Sequence, residues 1–146
     1  MERPTSLERA EIEKILPHRH PFLFLDSVSS GNTEEVIAHR TVRADEPWFE
    51  GHFPGRPVLP GVLQTETMAQ ALIVLFWFNF EIEDLYFLAR DESRFHAPIV
   101  PGEEMRIVAK KVRFRRRIGV GEAKIYVGDR LCSESRITYA SSGEPA

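Results

Sequence analysis

Residues 60–80 read PGVLQTETMAQALIVLFWFNF, and this stretch decides the fold. Pro60 stands where a helix starts well, because the amide it lacks would go unpaired in the first turn anyway. From Gly61 to about Phe80 the segment is the only long helix candidate, and its second half is apolar on every side. A helix without a polar face has to be wrapped by other elements rather than laid on a surface. The rest of the chain beyond it is strand-like: LYFLA (85–89), SRFHAPI (93–99), EEMRIVAKKVRFRRRIGV (103–120), EAKIYVGD (122–129) and RLCSESRITYA (130–140). Turn signals fall at Pro101-Gly102, Gly119 to Gly121 and Gly128-Asp129. The expected class is α+β, an antiparallel sheet curled around one long central helix.

Upstream, Thr5 and Glu8 have capping-box spacing, and Leu7, Ile12, Ile15 and Leu16 recur about once per turn, so a short helix is expected to end at Pro17. PFLFLDSVSSGN (21–32) reads as a strand closing in a turn at Gly31-Asn32, and EEVIAHRTVR (34–43) as its hairpin partner. The tail SSGEPA (141–146) is small and polar and is expected to be disordered, leaving one domain across residues 1–146. Apolar residues make up 42% and charged residues 28%, with net charge −3, so no overall bias toward nucleic acid or membrane exists. Cys132 is the only cysteine, which rules out an internal disulfide and suits a reducing cytoplasm. The N-terminus lacks the apolar core of a signal peptide. The longest apolar run, residues 71–78, is far short of the ~20 needed to span a bilayer. Neither secretion nor membrane insertion is expected.

The chemistry gathers at the helix entrance. Glu66 and Gln70 lie four apart on one helix face among apolar positions 62, 63, 69, 72 and 73. A carboxylate there is costly unless paired or protonated, and a raised pKa would make it a general acid near neutrality. Its alternative is a solvent-facing charge favouring the helix dipole; Gln70, able to hold the carboxyl by a hydrogen bond, tips the balance. His52 precedes the helix in GHFPGRPVLPG (51–61), where Pro54, Pro57 and Pro60 stiffen the loop and Gly51, Gly55 and Gly61 allow close backbone approach. A histidine in a turn can be merely structural, but a stiff loop is what a positioned base needs. The free amides at Gly61 and its neighbours can bind a carbonyl that is becoming an oxyanion. Base, acid and oxyanion donor suit proton abstraction beside a carbonyl with loss of a protonated leaving group.

LPHRHPFLFLDSV, FEGHFPGRPVLPGVLQTETMAQ and SRFHAPIVPGEEM together resemble the β-hydroxyacyl-acyl-carrier-protein dehydratases of type II fatty-acid synthesis, over residues 11–140 or so. The resemblance implies the hotdog fold and dehydration of a 3-hydroxyacyl thioester to the trans-2-enoyl thioester, without metal or organic cofactor. It implies that His52 removes the C2 proton, that Glu66 assists departure of the C3 hydroxyl as water, and that the Gly61 amide polarises the thioester carbonyl. It also implies an acyl carrier protein as partner and a homodimer, or a trimer of dimers, with His52 of one chain facing Glu66 of the other. Thr65, Thr67, His20, Ala89 and Arg90 depart from the residues usual in that family. Related dehydratase-isomerases usually carry aspartate where Glu66 stands.

Residues 106–117 hold seven basic side chains in twelve. On a strand Lys111, Arg113, Arg115 and Arg117 project to one side, and Val108, Val112, Phe114 and Ile118 to the other. A solvated face accounts for most of these charges, while docking of an acidic carrier is the functional use for Arg113, Arg115 and Arg117. Nucleic acid fits less well, since the chain is acidic overall and no aromatic platform accompanies the stripe. His18, His20, His39, His52 and His96 show no helical zinc spacing, so no metal is expected. Two other functions compete: a hotdog thioesterase, against which the histidine motif argues, and a non-catalytic acyl-carrier-binding subunit.

Overall fold

A computed structural model describes residues 3–146. The elements are α1 (Arg9–Ile15), β1 (Ser27–Gly31), β2 (Glu35–Thr41), a 3-10 turn (Pro47–Glu50), α2 (Gly61–Trp77), β3 (Asp84–Phe95), β4 (Glu104–Arg115), β5 (Ile118–Val127) and β6 (Arg130–Pro145). The six strands form one antiparallel sheet in the order β1-β2-β4-β5-β6-β3. α2 lies against this sheet and is buried from Gln64 to Phe76 except at Glu66. This is the hotdog arrangement the resemblance implies. Phe76 is fully buried and meets the rings of Phe80, Tyr86, Phe114 and Tyr139 at 5.0–5.6 Å. The aromatic end of the helix is therefore core. α2 stops near Asn79, whose side-chain amide donates to the Leu75 carbonyl and, across to the β1–β2 turn, to that of Thr33.

Several local expectations are corrected. The capping box of α1 uses Glu8 and Glu11 rather than Thr5 and Glu8, because Leu7 is drawn into a bridge with Val28 and buried. Residues 21–25 are not strand. Their backbone is satisfied instead by Gln70, which accepts from Phe24 N at 2.8 Å and donates to Phe22 O at 2.9 Å. Segment 85–89 and the first part of 93–99, as far as Phe95, merge into β3, which pairs with β6 and carries a bulge between Leu88 and Arg90, while 96–99 are not strand. The tail expected to be disordered continues β6 to Pro145, where Ser141 Oγ donates to the Asp84 carboxylate at 2.6 Å and Ala146 N to Glu83 O at 3.0 Å.

Gly119 and Gly121 mark no turn; the chain reverses at Arg116 and Arg117 and both glycines lie within β5. A Cβ on Gly121 would sit 2.3 Å from Leu72 of α2, and one on Gly119 2.6 Å from the Tyr139 ring. They let the sheet approach the helix and its aromatic cap. In β4 the face expected from strict alternation is also wrong. Met105, Ile107 and Ala109 point inward, a register shift comes between Lys111 and Arg113, and Phe114 then turns to the core. Val108, between inward-facing Ile107 and Ala109, lies on the outer face, the bulge leaves Val112 exposed, and Lys111 reaches Asn79 and Glu34.

Candidate active site

His52 comes directly after the 3-10 turn and Gly51, and its amide and that of Gly51 both donate to Trp48 O. The chain then folds on itself: Phe53 and Arg56 exchange backbone hydrogen bonds, and Val58 N donates to His52 O at 3.0 Å. Gly55 takes φ +73° in this small loop, a conformation that disfavours any side chain. Leu59 is buried and its amide donates to Ile99 O at 2.8 Å, which fixes the loop's end to the sheet side. The carbonyl of Val58 is thereby held 2.7 Å from His52 Nδ1. A carbonyl can only accept, so Nδ1 carries the proton and Nε2 keeps its lone pair in the neutral ring.

Pro60 precedes Gly61 and accepts from Leu63 N and Gln64 N, so the amides of Gly61 and Val62 have no intrahelical partner. Gly61 and His52 line one open cavity of about 290 Å³ together with Val58, Leu59, Gln64 and Phe95. Gly61, whose amide is free, and His52 thus line a single space.

Glu66 is elsewhere. It does not line that cavity, since it is about 140° around the helix from Gly61 at ~100° per residue. Gln70 Nε2 donates to Glu66 Oε2 at 3.0 Å, and the same amide is fixed by Phe22 and Phe24 of the preceding loop. Burial pushes the Glu66 carboxyl up, and the Gln70 hydrogen bond offsets part of that. His18 Nε2 lies 3.6 Å from Glu66 Oε2. Burial, and then the charge of Arg19, hold His18 below the ordinary histidine range, which disfavours a charged imidazole beside the Glu66 carboxyl.

His18 beside the acid was not foreseen; the LPHRHPF motif that contains it was the available signal. Of the other histidines, His39 is engaged with Ser29 Oγ at 2.7 Å and His96 with Glu134 at 2.8 Å. Among the described residues no cluster of three or more His, Cys, Asp or Glu could hold a metal. The two unusual threonines are accommodated internally. Thr67 Oγ1 donates to Leu63 O at 2.7 Å, and Thr65 Oγ1 lies 3.2 Å from Ser93 Oγ, itself 2.8 Å from Ser135 Oγ.

Arg113, Arg115 and Arg117 are exposed and form no ion pair among the described residues. They sit at the β4–β5 tip, beside Phe114, which packs on Phe76 near the far end of α2. Fifteen residues of helix separate Phe76 from Gly61, or about 22 Å. The chain does not bring these arginines to its own His52 cavity.

A sheet wrapped on one helix, with a histidine loop and a half-buried carboxyl near the helix entrance, defines a hotdog protein. The chain belongs to the family of the FabA-like domain, whose model matches residues 16–136. It is 41% identical to a 3-hydroxyacyl-[acyl-carrier-protein] dehydratase FabZ of Symbiobacterium thermophilum, over 91% of this chain and 99% of that protein. It is 36% identical to the FabZ of Haemophilus influenzae, over 95% and 97%. Among solved structures, the dehydratase heterocomplex ApeI:P of Xenorhabdus doucetiae superposes with TM-score 0.78 at 21% identity, covering 90% of this chain and 91% of that one. A thioesterase of Haemophilus influenzae superposes with TM-score 0.59 at 17% identity, covering 77% and 75%. These two likenesses concern the fold alone.

Proposed function

We propose that the protein dehydrates 3-hydroxyacyl thioesters carried on acyl carrier protein to trans-2-enoyl thioesters, reversibly, in fatty-acid or related lipid synthesis. The observation that carries this is His52, its Nδ1 proton given to Val58 O and its Nε2 without a hydrogen-bond partner among the described residues, in a ring that lines the same cavity as Gly61. His52 Nε2 takes the C2 proton while the Gly61 N–H stabilises charge developing on the thioester oxygen. Electrons from the C2–H bond form the C2–C3 double bond, the C3–O bond breaks, and protonated Glu66 supplies the proton that makes the leaving group water. Burial favours the protonated carboxyl that this last step needs.

Because Glu66 lies outside the His52 cavity of its own chain, the site is assembled between subunits, His52 and Gly61 from one and Glu66 from the other. Phe53, Val62 and Phe95 around the cavity and Phe22 beside Glu66 all stand exposed, at 50%, 76%, 50% and 44%. A second subunit would cover them. The carrier's phosphopantetheine arm brings the substrate; a carrier docked on Arg113, Arg115 and Arg117 would have to feed another subunit's cavity. The protein works as a homodimer, or a trimer of dimers, in the cytoplasm. No helix among the described residues is long and apolar enough to cross a membrane.

Incubation with 3-hydroxyacyl and enoyl carrier-protein thioesters, with mass spectrometry of the acyl group as the readout, tests the activity. Loss or gain of water is expected. Free acid would make the protein a thioesterase, and an unchanged acyl group would make it a binding subunit.

A further inference from the structure

Building on this dehydratase assignment, we propose that the side-chain amide of Gln64 is a second hydrogen-bond donor to the substrate's thioester carbonyl, acting beside the Gly61 N–H. Gln64 is 3% exposed and lines the same cavity as His52 and Gly61. Its Oε1 is buried with no hydrogen-bond partner, and its Nε2 forms none with the described residues. A primary amide can take part in four hydrogen bonds, and burying one unpaired is costly.

The other polar side chains of this helix segment show how unusual that is. Thr67 bonds Leu63 O, Thr65 joins Ser93, and Gln70 is used at both ends. Gln64 alone is left without a partner, and it is the one in the cavity. An apolar side chain would line this wall at no such cost.

Helical side chains lean toward the helix N-terminus, so the amide of residue 64 lies over the turn that opens at Gly61. Oε1 is the fully buried end, which leaves Nε2, a donor, as the end toward the opening. What it lacks is an acceptor, and the arriving thioester carbonyl is one. As His52 takes the C2 proton, negative charge grows on that oxygen, and two donors then hold it. No additional bond is made or broken.

A donor that acts as charge develops should appear in kcat more than in KM. Gln64→Leu removes the amide, and Gln64→Glu keeps the shape while presenting no N–H when ionised. Both are compared with the unaltered protein for hydration of a crotonyl thioester and for thermal unfolding. The expected result is a kcat lower by roughly 10²-fold in each variant, KM within about twofold, and a Tm for Gln64→Leu equal to or above that of the parent. A kcat for folded Gln64→Leu within about threefold of the parent overturns the proposal, as does a fall in Tm with kcat preserved, which marks a structural amide. If Gln64→Leu does not fold, Gln64→Glu decides by the same kcat criterion. An inactive parent protein would instead sink the dehydratase assignment on which the proposal stands.

Discussion

Glu66 owes its chemistry to its surroundings. Desolvation raises its pKa and the Gln70 hydrogen bond only partly opposes this, so the folded chain retains a proton that the unfolded chain would release. Stability contributed by such a group is complete below the ordinary glutamate range and is lost as pH rises through the folded value. Glu66→Gln should therefore hold its Tm over a window in which the parent's declines, and the two should converge in acid; parallel curves would mean the carboxyl is not perturbed. The same variant should lose ~10²–10⁴ in turnover, because an amide has no acidic proton to give. Near-parental dehydration by folded Glu66→Gln would remove the residue from the mechanism. At Gly61 an added Cβ would meet the Phe95 ring at 3.1–3.3 Å. That ring is half exposed and can move, so Gly61→Val should melt cooperatively while losing activity to a side chain in the substrate's space; failure to fold would make the glycine structural. His52, Glu66 and Gln70 could be singled out from sequence because their meaning lies in local spacing: a stiff loop, a helix entrance, an i to i+4 pair. His18 against Glu66 and the clamp of Gln70 on Phe22 and Phe24 could not, since they join segments some 46 to 48 residues apart.

Among the elements, α2 and the run of strands after it were legible, because an all-apolar helix and a strand-rich remainder leave few ways to pack. Boundaries were less so wherever glycine had two uses. Gly119 and Gly121 were expected as a turn and instead make room for Tyr139 and Leu72. Gly121→Ala should accordingly lower stability by about 1–3 kcal/mol through overpacking, with Leu72 and the Lys110 carbonyl both in the way. Denaturant unfolding measures this, and an unchanged midpoint would show that the sheet can yield there. The β4 bulge was hidden for another reason: one inserted residue reverses the faces of everything after it, and the hydrophobic pattern of a charged strand is too sparse to reveal the shift. The tail's strand was invisible because its small polar residues are ordered by pairing with β3, a partner more than fifty residues away.

At the scale of the molecule, one chain by itself buries the all-apolar helix from Gln64 to Phe76 except at Glu66. The sheet, by contrast, leaves large apolar side chains exposed. β3 is a twelve-residue edge strand with Phe87, Leu88 and Phe95 exposed, an edge of the kind that pairs with another chain. A two-fold pairing would bring the base of one subunit to the acid of the other, which the single chain keeps on different sides of α2. Mixing inactive His52→Ala with inactive Glu66→Gln chains tests this most directly. In a mixed dimer one site carries both defects and the other none. Random exchange makes about half the dimers mixed, each with one intact site of two, so hydration of a crotonyl thioester should recover to about a quarter of the parental rate. A mixture that stays inactive, although mass spectrometry shows heterodimers present, would contradict a site shared between subunits.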